Sequence, residues 1–470
     1  MAAVLEAVRT PEPLQASIST TLSGHFLGLR YARLPEDSRK AVKRLLLDYL
    51  GVAIGGSASE SGAIARELVK HDGGTPEATV IGDSVRLPAG AAAFANAIAS
   101  HSLELDDIDV LANFHFSPPV FSTALAAAEV AGANGKQLLA ALAAGCEMME
   151  RVSRAANPSL RERNYHTTPT CGVFGATVAA AKLLGLPAKK LVSAIGLAGA
   201  QASGVLEFQG PSMQKRFGPG PAARGAITAV RMAALGYTGQ AYIFEGRRGF
   251  LKAYTDAADM SELTADLDRP YRLDIEFKPY ACARPIHNAI DCALDLRSKH
   301  APDLARVERI EVARHPFWVS KHGEKAPKNF HAAQLSLPYS VAVALKEGRA
   351  LLAQYTDRHL RDATIQRLMS RTFITVDETL PRGVSCRMTM KLDDDRRLVS
   401  QVDYPKGSIQ VPMSDAELEE KFMTLAEPVV GPSNAERIVD LVARIHACED
   451  AGELMRLTRK AGNRKGARRR

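Results

Sequence analysis

The chain reads as a mainly α protein, a large all-helical domain with a smaller α/β unit inserted ahead of its last helices. Three observations predict this. From about Leu34 to Leu235 apolar residues recur at helical spacing in an alanine-rich background, and alanine is the best helix former. After about Leu273, stretches such as RIEVARH and MTMKLDDDRRLVSQVDYP alternate apolar and polar residues, as half-buried strands do. Near the end, MSDAELEEKF sets Ser414 three residues before Glu417, the spacing of a capping box, so a helix restarts there.

Residues 1–20 are expected to form a flexible leader. Glu6 and Arg9 stand where a signal peptide would carry its apolar core, and Pro11 and Pro13 follow. Residues 21–272 are the first part of the helical domain. AAAFANAIAS, STALAAAEVAGANG and GVFGATVAAAKLLGL put Ala and Gly on one face, which lets helix axes approach closely. Gly-containing breaks at 131–135 and 184–187 end helices at ordinary lengths. No fixed-period repeat is visible, which argues against a solenoid. The α/β lid is expected over 273–411, with helices over 286–298, over 338–346 and from 356. Residues 412–458 rejoin the helical domain, and 459–470 are expected to be a disordered basic tail.

Composition narrows the function. The 470 residues are 46% hydrophobic and 24% charged, as in a soluble globular protein whose cores need no metals or cross-links. The longest apolar stretches, such as 138–146 and 173–181, fall short of the roughly 18–20 residues of a membrane span. Cys146, Cys171, Cys282, Cys292, Cys386 and Cys448 form no CxxC pair and no Cys/His cluster. Neither a zinc knuckle nor a disulfide framework is indicated, and reduced thiols in a cytoplasm fit. The net charge of +8 suggests nucleic acid until its position is seen, because Arg459, Lys460, Arg464, Lys465, Arg468, Arg469 and Arg470 supply seven of the eight. With no aromatics interleaved for stacking, this end reads as solvated rather than as a nucleic-acid arm.

Five polar islands interrupt the apolar sequence. In the first, His101 and Glu104-Leu-Asp106-Asp107-Ile-Asp109 precede His115. Four carboxylates in six residues repel one another and raise at least one pKa unless a cation or proton holds them. This is either a charged surface loop or, between two buried alanine-rich helices, a site. The second island, Arg161 to Thr168, sets His166 at a helix start, where the dipole favours neutral imidazole; alternatively Thr167 or Thr168 caps and the histidine merely packs. The third, Gln214 to Gly225, offers Lys215, Arg216 and Arg224 around a Gly/Pro turn, either an anion site or a solvated loop. The fourth, Phe277 to Asn288, places Lys278, Arg284 and His287 at the inferred domain junction, where they could neutralise a polycarboxylate and move a proton, or form a basic surface turn. The fifth, Gln334 to Ser340, carries Tyr339 into a helix as a phenol donor or a core anchor. GxGxxG in a strand-turn-helix setting, GxSxG, HExxH, DxDxDG and the phosphate loop GxxxxGK[ST] are all missing from the sequence, so nicotinamide, hydrolase-elbow, phosphate-loop and dedicated metal chemistry lose support.

Taken in order, LLLDYLGVAIGG, ANAIASHSLELDD, HTTPTCGVFGATVAAAKLLGL, KRFGPGPAARGAITAVRMAALGYTG, FKPYACARPIHNAIDCALDL, AAQLSLPYSVAVAL and YPKGSIQVPMSDAELEEKF resemble the MmgE/PrpD family, from about Leu34 to Phe422. The family includes 2-methylcitrate dehydratase, cis-aconitate decarboxylase and iminodisuccinate epimerase. The resemblance implies the helical domain with an α/β lid, a homodimer, and a site free of metal, iron–sulfur cluster and other cofactors. It carries over the acidic island, with Glu104 in the position usually held by Asp, together with His115, His166, Lys215, Lys278, Tyr339 and His287. Two departures bear on the pocket wall: Ile108 stands where Thr is common, and His115-Phe116 where the family commonly has His-Pro.

Elimination of water from a β-hydroxy acid needs a base, an acid and cations opposite the carboxylates. Lys215, Lys278 and Arg284 are expected to bind carboxylates, with Asp106, Arg216, Arg224 and His287 beside them. His115 and His166 would exchange protons, Tyr339 would donate to a developing oxyanion, and Glu104 and Asp107 would orient and tune the rest. Dehydration of a small di- or tricarboxylic acid is the expected reaction. Decarboxylation and epimerisation would use the same groups, and a catalytically silent scaffold is the reading from another class.

Overall fold

The computed structural model describes residues 17–109, 114–208, 212–269, 273, 275–319, 322–381 and 385–460. Residues 1–16 of the expected leader and 461–470 of the basic tail lie outside that range. Helix α1 (Ile18–Gly28) starts inside the stretch assigned to the leader, because the Ser17 hydroxyl accepts the Thr20 amide and caps it.

The helical body continues through α2 (Glu36–Ser57), α3 (Glu60–Asp72), the short hairpin of β1 (Ala78–Thr79) and β2 (Arg86–Leu87), then α4 (Ala89–Ser100), α5 (Ser117–Ala131) and α6 (Gly135–Ala156). It goes on with α7 (Thr167–Leu183), α8 (Ala188–Gly199) and α9 (Pro219–Ala234). The breaks fall where the sequence put them: α5 ends at a left-handed Gly132, and Asn134 opens α6 through a capping box with Gln137. The Ala/Gly faces bring backbones together. Helices α6 and α7 cross at Gly145 and Gly175, so close that a Cβ on Gly175 would stand 2.4 Å from the Gly145 carbonyl oxygen.

A second hydrophobic core belongs to the α/β segment. It contains α10 (His287–His300), β3 (Val307–Arg314), α11 (Leu337–Glu347), α12 (Ala363–Ser370), β4 (Thr372–Val376), β5 (Cys386–Leu392) and β6 (Arg397–Val402). The strand order is β4-β3-β5-β6. Strands β3 and β4 are parallel, with Ile310 opposite Thr372, and the other pairs are antiparallel, with Ile310 opposite Met390 and Met388 opposite Ser400. Alternation in β5 buries Cys386, Met388, Met390 and Leu392, the period-2 signal read from sequence. The helix expected from 356 is instead a turn of helix at Asp357–Leu360 followed by α12, and β4 after it had not been singled out.

The Ser414–Glu417 capping box starts α13 (Asp415–Val430), and α14 (Pro432–Ala443) follows. Helix α13 packs back onto α2, so the end of the chain rejoins the first body. The two chain crossings between body and α/β segment run side by side: the Phe277 amide donates to the Gly407 carbonyl over 3.0 Å. Gly407 has φ +84°, and a Cβ there would lie 1.9 Å from the Phe277 carbonyl oxygen, so only glycine fits. Among the described residues no helix is long and apolar enough to cross a membrane. All six cysteines are free thiols.

Candidate active site

Helix α4 runs out at Ser100, and residues 101–109 form a buried loop between it and α5. A reciprocal backbone bridge pins the loop, Ile108 and Glu276 each donating to the other's carbonyl over 3.0 Å, and this brings the Lys278 segment alongside. Leu103 and Leu105 enter the second core, while the intervening Glu104 and the following Asp106 turn to the cations. Glu104 sits at φ +55°, a conformation that costs a non-glycine residue about 1 kcal/mol or more. Its ion pairs hold it there.

Three cations from two parts of the chain, the adjacent Lys215 and Arg216 and the distant Lys278, meet on these two carboxylates. Lys215 donates to Glu104 Oε1 at 2.5 Å, and Arg216 Nη2 lies 3.4 Å from the same oxygen. Lys278 Nζ stands between the pair, 3.5 Å from Glu104 Oε2 and 3.7 Å from Asp106 Oδ1. On its other side Asp106 Oδ2 faces two imidazoles, His101 Nδ1 at 2.7 Å and His115 Nδ1 at 3.0 Å. His115 Nδ1 also lies 2.5 Å from the Asp107 carbonyl, which can only accept, so Nδ1 carries the proton and Nε2 is left as the reactive nitrogen. The Thr168 hydroxyl accepts the His115 amide. His166 completes the group, its ring stacked 6.0 Å from that of His101.

Burial and charge set the protonation states. Burial acts to raise the Glu104 carboxyl, but Lys215, Lys278 and Arg216 hold it well below the usual range. Asp106 is likewise held low against burial by His115, His101 and Lys278. Asp107 is raised by burial and by Asp106, the repelled member that the sequence pattern called for. Burial lowers Lys215 and pushes His101 down to about 4. His166 falls well below its ordinary value, through burial first and then the charges of His101, Lys215, His115 and Arg161. It stands at the N-cap of α7 and is neutral as expected, although burial rather than the helix dipole is the main cause.

The expected residues separate into those that converge and those that do not. His115, His166, Lys215, Lys278, Glu104, Asp106 and Arg216 share the cluster. Asp107 instead caps α5, its carboxylate accepting the Phe116 amide at 2.7 Å, the Ser117 amide at 3.1 Å and the Ser117 hydroxyl. Arg284 is committed to Glu276 at 2.7 Å and donates to His287 Nδ1 at 3.1 Å, while His287 Nε2 faces the Cys282 carbonyl; neither is turned to the carboxylate–lysine group. Arg224 is exposed with its guanidinium 3.9 Å over the Phe94 ring and does not join the cluster. Tyr339 lies apart from the cluster: its hydroxyl donates to the Gln354 carbonyl at 2.6 Å inside the second core, the geometry of the anchor alternative. Thr167 and Thr168 do not cap α7.

Three participants were not selected from sequence. His101 was quoted in the acidic island but given no role. Gln334 ties the α/β segment to the acidic loop and to Arg216, donating to the Leu103 and Ala281 carbonyls at 2.7 and 2.9 Å and accepting from Arg216 at 3.1 Å. His322, lowered to about 4 by burial and by Arg314, also feels Lys215 and Glu104. Sequence offers no signal for His322 beyond its place in a polar loop.

His101, Asp106 and His115 present three ligand atoms within 4.8 Å of one another, a donor set of the kind that holds a divalent metal. The fit is poor. Both Nδ1 atoms address the same carboxylate oxygen at hydrogen-bond length, and the Lys278 ammonium stands against the other oxygen, where it would repel a cation.

Residues 20–263 match the MmgE/PrpD N-terminal domain and residues 280–447 the MmgE/PrpD C-terminal domain. The cis-aconitate decarboxylase-like protein oryM of Aspergillus oryzae is 28% identical over 482 residues, covering 95% of this chain and 98% of that protein. Cis-aconitate decarboxylase of Aspergillus terreus is 27% identical over 458 residues, 90% of this chain and 92% of its own length. The Homo sapiens cis-aconitate decarboxylase is 25% identical over 467 residues, 94% of each chain. Both family domains are met in order on one chain, and together they span nearly all of the described fold: the protein belongs to the MmgE/PrpD family.

Proposed function

We propose that this chain is a cofactor-independent lyase for a small di- or tricarboxylic acid. The observation that carries the reading is the convergence of Lys215, Lys278 and Arg216 with His115 and His166 in one buried cluster. Three cations face two carboxylates, so the cluster holds an excess positive charge that suits an anionic substrate.

The imidazoles divide the proton work. His115 has its Nδ1 turned to Asp106 and the Asp107 carbonyl, which fixes the ring and leaves Nε2 to exchange a proton with the substrate. His166 has no acidic partner among the described residues and stays neutral, as a base must. Decarboxylation breaks one carbon–carbon bond, releases carbon dioxide and leaves the electron pair on an enolate-like carbon; Lys215 and Lys278 hold that charge and His115 delivers the proton. Dehydration uses both imidazoles, His166 taking the α-proton and His115 protonating the departing hydroxyl. Decarboxylation of a cis-aconitate-like acid is favoured by the names of the relatives, and dehydration of a 2-methylcitrate-like acid is the second reading.

Side-chain exposures of 1% for Lys278, 8% for His115 and 13% for Lys215 leave little path for substrate. The α/β segment, which contributes Lys278 and Gln334, therefore acts as a lid that opens for exchange. Purified protein incubated with a panel of tri- and dicarboxylic acids, including cis-aconitate and 2-methylcitrate, tests the reading through carbon dioxide release and ultraviolet absorbance of unsaturated products. Turnover of one acid is expected. A folded protein that neither binds nor turns over any of them would establish the silent scaffold instead.

A further inference from the structure

Helix α13 comes from the last part of the chain and supplies no group to the cluster, yet its single lysine reaches the backbone of the acidic loop. Lys421 Nζ donates to the Leu105 carbonyl at 2.6 Å and to Asp48 Oδ1 on α2 at 2.5 Å. Its side chain is 9% exposed and that of Asp48 is fully buried. Leu105 is the residue between Glu104 and Asp106, the two carboxylates that gather Lys215, Lys278 and the histidines.

The approach is built into the packing. Asp48, Gly51 and Gly55 recur on one face of α2 at helical spacing. A Cβ on Gly51 would meet Phe422 at 3.1 Å, and one on Gly55 would meet Leu425 at 3.2 Å and Leu103 at 3.3 Å. These small residues seat α13 against α2 and bring Lys421, next to Phe422, over the loop. Deeply buried charge is retained where its partners repay desolvation. Here an ammonium from one end of the chain, a carboxylate from the other and a loop carbonyl share that role.

We propose that Lys421 and Asp48 are positioning residues that fix the spacing of Glu104 and Asp106 by holding the Leu105 carbonyl between them. The proposal rests on the reading of the acidic loop as part of the active site. Neither residue touches the reacting groups, so the effect passes through loop position, and a displacement of about 1 Å at a catalytic group can cost on the order of 100-fold in rate.

The test uses the full chain carrying Lys421→Met, Lys421→Arg or Asp48→Asn, with Leu441→Ala in α14 as a destabilised control away from the loop. Two measurements are made: hydrogen exchange of loop amides 101–109, and kcat and KM on whichever acid the panel identifies. Lys421→Met is expected to speed loop exchange and lower kcat about 10- to 100-fold. Lys421→Arg should recover most of the loss, because a guanidinium can address both acceptors, and Leu441→Ala should melt earlier with kcat intact. If Lys421→Met does not fold, Asp48→Asn carries the same expectation with a smaller loss. Unchanged loop exchange in a folded variant overturns the proposal even if no substrate is found, and so does an equal kcat loss in the control.

Discussion

Burial lowers the Lys215 pKa from 10.5, since a charged amine taken out of water loses hydration that Glu104 only partly replaces. As pH rises through that lowered value the ammonium becomes neutral and can no longer pair a substrate carboxylate. We expect kcat/KM to fall on the alkaline side at a lower pH than an exposed lysine would give, and Lys215→Arg, whose guanidinium stays charged, to move that limb upward in a pH–rate profile. Lys215→Ala leaves a desolvated substrate carboxylate unpaired, costing roughly 2–5 kcal/mol, or about 30- to several-thousand-fold in rate. His166→Gln should lose activity comparably while melting close to the parent. Tyr339→Phe, by contrast, should retain turnover and lose about 1 kcal/mol of stability, one buried hydrogen bond, in a denaturant titration. The charged members of the site were legible in sequence because each is expensive in an apolar background. The place of Tyr339 was not legible, because a phenol serves a core as well as it serves an oxyanion. Gln334 and His101 were passed over because their roles depend on partners that only the fold supplies.

At the scale of elements, caps and alternation could be read directly, since they depend on neighbours within a few residues. Ser414 with Glu417, the Gly132 stop and the period-2 burial of β5 are of this kind. Strand β4 was not, because it is a short run whose identity comes from parallel pairing with β3, about sixty residues earlier. The start of α5 shows a third case, in which the cap is remote in sequence: Asp107 takes both the Phe116 and Ser117 amides from the far side of the loop. Asp107→Ala should destabilise the fold by about 1–2 kcal/mol, the cost of a lost cap, with more if the freed amides stay buried. Thermal melting measures this, and an unchanged midpoint would show that Asp107 does not anchor the helix.

For the whole molecule, the chain is mainly helical with two hydrophobic cores, and Gln334 links the α/β segment to Leu103 and Arg216 of the preceding sequence. The body also leaves large apolar side chains in solvent, among them Leu235 at 86% exposure and Tyr237 at 57%. Together with alanine-rich helices that carry few charges, they motivate the homodimer, which we expect as the dominant species in sedimentation at micromolar concentration. A stable monomer with normal melting would refute it. Activity should also survive prolonged treatment with a chelator, because the Lys278 ammonium beside Asp106 would repel a cation at the His101–Asp106–His115 set. The paired crossings at Phe277 and Gly407 have another consequence. Insertions are tolerated best where the two ends of the inserted piece lie together, and these lie one hydrogen bond apart. Recombination at this seam would move Lys278 and Gln334 as a block while leaving Lys215, His101, His115 and His166 behind. One of the three cations, Lys278, and the glutamine that contacts Arg216 and the Leu103 carbonyl would then change together between relatives.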